Sequence, residues 1–190
     1  STSFFGLVAF LLQKYGMLFL RGTGMTLLIA LTGTALGFAL GLLVAIIRTI
    51  ALPEKKKTGS NAGVAVKRGL LRFVQMLMNV YIQVFRGTPM IVQAVVIYYG
   101  AQYAGVFMDT TFAAIFIISI NTGAYMAEII RGGIVSVDKG QFEAAHAIGM
   151  THWQTMTTVV LPQAIRNILP SVGNELIVNI KDSSVLNVIS

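Results

Sequence analysis

Long uncharged runs alternate with short polar or basic segments along this chain. Between Arg21 and Arg48 lie 26 uncharged residues, and between Arg86 and Asp109 another 22. The run from Thr110 to Arg131 is interrupted only by Glu128, and the run from Leu161 to Ile180 carries only Arg166 and Glu175 as charges. A helix needs about 20 mostly apolar residues to cross a bilayer. Four spans are therefore expected, near 22–47, 87–108, 110–131 and 161–181, joined by loops 48–72 and 132–160. The fold class is all-α, a polytopic transmembrane helix bundle, with short helices in the second of these loops.

Three further segments have their own patterns. Phe4–Leu12 is too short before Lys14 to cross, and reads as an interfacial helix. Phe73–Phe85 places Gln75, Asn79 and Gln83 at i, i+4 and i+8, a polar stripe that suits a helix lying at the cytoplasmic interface. The competing reading is that this segment lengthens the second span. Gly33, Gly37 and Gly41 recur every four residues, the spacing that lets helix backbones approach closely in lipid.

Composition narrows the class. The 190 residues are 55% hydrophobic and 11% charged, against about 25% charged in a soluble domain. The net charge of +7 could suggest nucleic acid. Its location decides otherwise: Lys55, Lys56, Lys57, Lys67, Arg68 and Arg72 cluster in one loop without interleaved aromatics, so no nucleic-acid partner is expected. Such a cluster beside apolar spans marks the cytoplasmic side. The N-terminus and Asp109 then lie outside, loop 132–160 returns to the cytoplasm, and the chain resides in a membrane as a multi-pass protein. Arg86 reads as the anchor at the cytoplasmic start of the second span. Cysteine is absent and the two histidines are far apart, which leaves no case for a metal site. The chain opens on Ser1 rather than Met and stops inside an apolar stretch at Ser190, so further sequence is expected at both ends.

Glu143–Pro162 (EAAHAIGMTHWQTMTTVVLP) interrupts this apolar pattern. Asp138 followed by Gln141 fits a capped helix start with the third residue reaching back. Gly149 suits the left-handed residue after a helix end. Thr151 with Gln154 forms a second capping box, and Pro162 fits the first turn of the next helix. Two short helices joined by a glycine corner are expected, the first narrow because of Ala144, Ala145 and Ala147. An amphipathic helix resting on the bilayer and a rigid protruding knob both fit; the exposed acid, the absent basic rim and the stacked caps favour the knob.

Glu143-Ala144-Ala145, then Gly149, Leu161 and Pro162 resembles the EAA loop of type I ABC importer permeases. FRGTPMIVQ at 85–93, GAYMAEIIRGGI at 123–134 and NELIVNIKDSSVL at 174–186 are similar to the polar amino-acid branch, the histidine/glutamine permease family. The resemblance runs from about Gly22 to the end. It implies an ATP-driven, binding-protein-dependent importer in a bacterial cell membrane. Glu143, Ala144, Ala145, Gly149, Leu161 and Pro162 would dock on a partner ATP-binding subunit. Two such subunits, a second permease subunit (identical or different) and an extracytoplasmic substrate-binding protein or fused domain are the implied partners. Family members usually add a fifth span, which is missing here. No GxxxxGK[ST] phosphate loop occurs, so no cofactor is expected in this chain, and ATP and Mg belong to the partner; the chain is a transport subunit and not an enzyme.

Ionisable groups inside a bilayer are functional candidates by default. Asn121, Tyr125 and Glu128 share one helical face of the third span, and Ser171, Glu175 and Asp182, flanked by Asn174, share one face of the fourth. These could bind an amino acid's ammonium and carboxylate. Pro170 with Gly173 would break the fourth helix near midplane and free carbonyls there. Two structural readings stand beside this one: Glu128 pairing with Arg131, and Glu175 balancing a cation on a second subunit. An ion-gradient carrier, an ABC importer of another small polar solute and a non-transporting scaffold are the rival functions. The first would need an internal repeat, and none is found.

Overall fold

The computed structural model describes residues 3–50 and 62–189. The connector Thr58–Gly63 falls largely outside the described residues, as do Lys55, Lys56 and Lys57 of the basic loop. Among the described residues seven α-helices succeed one another: α1 (Phe4–Thr49), α2 (Ala62–Gly87), α3 (Met90–Tyr103), α4 (Thr110–Val135), α5 (Lys139–Ala147), the short α6 (His152–Gln154) and α7 (Leu161–Asp182). A π-helical turn, Thr155–Val160, joins α6 to α7, and a 3-10 turn, Val185–Ile189, closes the described chain.

Helix α4 is the axis of the bundle. Thirteen of its residues are buried, from Ala113 to Gly133, and α1, α2, α3 and α7 all pack on it. Small residues make this possible. A Cβ on Gly33 would lie 2.5 Å from Ile118 Cγ2, and one on Gly37 would lie 2.6 Å from Thr122 Cβ, so α1 touches α4 backbone to side chain along the glycine stripe. The close approach expected from the four-residue spacing is present.

Helices α1 and α4 are long and apolar enough to cross a membrane, and α2 with α3 satisfies the same test as one broken span. The expected boundaries and the observed helices differ in three places. Phe4–Leu12 is not a separate helix, because nothing in Gln13–Arg21 breaks the α-helical path and α1 runs through it. Phe73–Phe85 is not a separate helix but the second half of α2, whose Tyr81, Ile82 and Phe85 pack with Val44, Ala124 and Ala127 in the bundle. And α7 passes through Pro170 without a break. A proline there removes the donor to the Arg166 carbonyl and crowds that carbonyl with its ring, and the helix continues through both costs.

The break lies elsewhere, at Gly87–Pro89, where α2 and α3 meet at 113°. Pro89 cannot donate and caps α3 in extended geometry (φ −60°, ψ 139°). A helix break at membrane depth exposes carbonyls that must find donors inside the protein. Gln93 Nε2 donates to the carbonyls of Phe85 and Thr88, both at 2.9 Å, and Asn121 Nδ2 donates to Gln93 Oε1 at 2.9 Å. Gln93 and Asn121 are both 7% exposed, so this polar relay is interior. A second interior node ties three helices: Asn179 Nδ2 of α7 donates to Thr34 Oγ1 of α1 (2.8 Å) and Thr122 Oγ1 of α4 (2.9 Å).

Candidate functional site: a membrane carboxylate and a protruding corner

Two regions carry the candidate chemistry. The first is the corner between α4 and α7. Asp138 caps α5 by accepting from Gly140 N at 2.6 Å. Gln141 does not reach back to complete a capping box there; its Oε1 accepts from Gln163 Nε2 at 3.3 Å and ties α5 to α7. Gly149 has φ +83°, the left-handed conformation expected from its place after the helix. The capping box of Thr151 and Gln154 is complete. The expected second short helix is not a separate element, however: α6 passes through the π-turn directly into α7.

The corner stands on an apolar footing of Val137, Val160 and Ala164, with Phe142 and Met156 packed against them. Ala145 is buried, while Glu143, Ala144 and Gly149 are exposed. Leu161 and Pro162 begin α7, where the missing proline N–H is harmless. Ile148 (79% exposed) and Trp153 (75%) flank the glycine. Sequence reasoning did not single out these two. Large apolar side chains beside a left-handed corner are the available signal.

The second region is the level of the α2–α3 break. Glu175 of α7 is 8% exposed, and no hydrogen bond or ion pair engages its carboxylate among the described residues. The charged groups acting on it are Asp182, two turns further along α7, and Arg86, in the last turn of α2. The Arg86 guanidinium lies 5.3 Å from the centre of the Tyr125 ring, within cation–π range. Arg86 thus lies at the break, with nearly all of the 26-residue α2 before it.

Of the residues expected to line a pathway, the fold brings Tyr125, Glu175 and Asp182 to one neighbourhood and adds Arg86. Asn121 lies next to it but serves the break. Glu128 is elsewhere: one carboxylate oxygen pairs with Arg48 of α1, and the other accepts from Arg131 Nη2 at 2.9 Å and Nε at 3.1 Å. The expected pairing with Arg131 is present, and Arg48 doubles it. Ser171 and Asn174 are exposed on α7, away from the buried edge that holds Glu175 and Asn179.

An α-helical bundle with a broken span, an ionisable group held inside it and an exposed corner is the architecture of a polytopic membrane protein. The family of binding-protein-dependent transport system inner membrane components is matched over residues 59–190. The chain is 35% identical over 186 residues to the putative glutamine transport system permease protein GlnP of Rickettsia prowazekii, covering 96% of this chain and 77% of that one. It is 38% identical over 174 residues to the glutamine transport system permease protein GlnP of Shigella flexneri, covering 90% and 71%. Among solved structures, an amino acid ABC transporter crystallised with histidines superposes with a TM-score of 0.81 at 36% identity, covering 100% of this chain and 77% of that one. An inward-facing MetNI methionine ABC transporter superposes at 0.62 with 23% identity, covering 87% and 71%, a likeness of fold alone. The chain belongs to the binding-protein-dependent permease family and is a permease subunit of an ABC importer.

Proposed function

We propose that this chain forms the translocation pathway of an ATP-driven importer of polar amino acids, of the glutamine type, in a bacterial inner membrane. The observation that carries the reading is Glu175, a buried carboxylate without a hydrogen-bond or ion-pair partner among the described residues, within electrostatic reach of Asp182 and Arg86. An amino-acid zwitterion has an ammonium for the carboxylates and a carboxylate for the guanidinium. Arginine's planar fork suits a carboxylate in two-point contact. Tyr125 holds Arg86 from behind, which lowers the entropy of ordering that long side chain. The names of the glutamine permease relatives support the substrate class.

The corner Glu143–Pro162 supports the coupling half of the reading. It is rigid, it protrudes, and it exposes an acid and two apolar side chains to a partner. ATP and Mg are bound by two copies of a separate ATP-binding subunit, a second permease subunit completes the membrane unit, and an extracytoplasmic binding protein or fused domain delivers the substrate. The corner faces the cytoplasm and the α3–α4 turn at Asp109 faces out.

Glu175→Gln tests the site. It keeps shape and hydrogen bonding and removes one charge-assisted contact, about 1.5–3 kcal/mol, so substrate should bind roughly ten- to a hundredfold more weakly. The purified variant complex should keep its melting temperature and basal ATP hydrolysis. If Glu175 instead balances a cation on a second subunit, stability falls first, by about 3–5 kcal/mol. A stable complex with unchanged uptake would refute the ligand role.

A further inference from the structure

Helix α2 has three faces. Tyr81, Ile82 and Phe85 pack into the bundle. Leu77, Val80 and Val84 are 43%, 51% and 49% exposed and form an apolar outer side. Arg72, Gln75, Asn79, Gln83 and Arg86 are spaced by three, four, four and three residues, so they make a third, polar face. At the rise of an α-helix this stripe is about 21 Å long, running from the basic end of α2 to the break.

Most of the stripe has no task within the fold. Gln75 Nε2 donates to the carbonyls of Ile47 (3.1 Å) and Ile50 (3.0 Å), closing the end of α1. Asn79 and Gln83 have no hydrogen-bond partner among the described residues, and Gln83 and Arg72 are exposed. Unpaired amides do not face hydrocarbon, where nothing replaces their hydrogen bonds to water. Polar groups at membrane depth occur where helices line an aqueous cavity. The stripe is continuous with Arg86 at the candidate site, and its far end is a second guanidinium. Two cations separated by amides form a track for an anionic group.

We propose that the polar face of α2 lines the cytoplasmic half of the translocation path and passes the substrate carboxylate from Arg86 toward Arg72. Asn79 and Gln83 donate to it on the way. This rests on the importer reading above and extends it from a binding site to an exit route. Amide donors bind a carboxylate more weakly than a guanidinium does, which suits residues that must let go.

The test uses the complete transporter, assembled with its ATP-binding subunit in proteoliposomes. The chain has no cysteine, so Asn79→Cys, Gln83→Cys, Val80→Cys and Val84→Cys can each be probed alone. A membrane-impermeant thiol reagent reaching the cytoplasmic face should modify the first two at least tenfold faster than the last two. Saturating glutamine should slow modification of the first two only. The double variant Asn79→Leu with Gln83→Leu should take up glutamine at least tenfold more slowly while still binding it. Equal reactivity at all four positions, or full uptake by the double variant, would overturn the proposal. So would a disulfide joining two copies of the Asn79→Cys variant, which would make this face a subunit interface. An unsubstituted complex that moves no amino acid would instead overturn the proposed function, and the reactivity pattern would still decide whether the stripe faces water.

Discussion

Asn121 on α4 holds Gln93 on α3 by an amide–amide hydrogen bond of 2.9 Å, and Gln93 passes that support to the carbonyls freed where α2 ends. The relay gives a first prediction. Gln93→Leu takes this donor from the Phe85 and Thr88 carbonyls and leaves Phe85 only a 3.3 Å bond from Asn121, at a cost of about 1–3 kcal/mol for the group left unpaired. Asn121→Leu removes the support of Gln93 and a longer bond to the Phe85 carbonyl (3.3 Å) while both carbonyls keep Gln93, so it should cost less. Thermal melting of the purified complex should rank the two in that order, and a larger loss from Asn121→Leu would contradict the account of the break.

The glycine contact between α1 and α4 gives a second. Any side chain at Gly37 must displace Thr122, whose Cβ and Cγ2 would lie 2.6 and 2.7 Å from a Cβ there. Gly37→Leu should destabilise by about 1–3 kcal/mol or more through overpacking. Gly16→Ala, on a part of the same helix where a Cβ meets nothing within 4 Å, should be neutral or slightly stabilising. Melting of the two variants side by side checks this, and similar behaviour would deny the contact.

How much of this was open to sequence reasoning depends on what physical constraint stood behind each pattern. Bilayer thickness fixes the length of a span, so α4 and the inner part of α1 were legible from uncharged runs alone. Capping chemistry is local, so Asp138, Thr151 and Gly149 were legible too. The α2–α3 break was not. The 22 uncharged residues after Arg86 have the right length for one straight span, and hydropathy records length and not direction. Gln93 and Asn121, which make the break possible, look like stray polar residues until the fold brings them together. For the same reason Arg86 reads as an edge anchor, and Pro170, a stronger breaker on paper, is absorbed into α7. Glu175 stood out because charge within an apolar run is costly wherever it lies, and Asp182 because it follows on the same helical face. Glu128 satisfied the same rule, but its second arginine partner comes from a residue 80 positions away.

Glu128 provides a third prediction. Its two oxygens serve Arg48 and Arg131, and the Arg48 and Glu128 side chains are 21% and 19% exposed. Glu128→Gln should cost about 1–2 kcal/mol, toward the lower end for charged hydrogen bonds because water reaches the pair. Adding Arg48→Gln to that variant should restore part of the loss by removing an uncompensated cation. Chemical denaturation of the single and double variants measures the coupling, and strictly additive losses would rule out the pair.

A fourth prediction concerns the corner. Gly149 sits at φ +83° with nothing within 4 Å of where a Cβ would be, so a substitution there acts through backbone strain and not through crowding. Gly149→Val forces a β-branched residue into the left-handed region, at about 1–3 kcal/mol. Gly149→Asn, which tolerates that region better, should be milder. Valine should separate ATP hydrolysis from uptake or release the ATP-binding subunit, with asparagine intermediate. Coupled uptake in vesicles at the unsubstituted rate for the valine variant would count against a docking role.

The π-turn has a mechanical consequence. From His152 to Asp182 the backbone is helical without a loop, first α, then π, then α. Glu175 therefore shares one unbroken helical path with the corner, roughly 35 Å away along the axis at ~1.5 Å per residue. Gly133 of α4 lies against Ile168 of α7, where an added Cβ would collide with Ile168 Cγ2, about a third of the way from Glu175 back toward the corner. No loop separates the corner from the level of Glu175 and of the Asn179 node that ties α7 to α1 and α4, so a displacement of the corner would have one continuous helix to travel along.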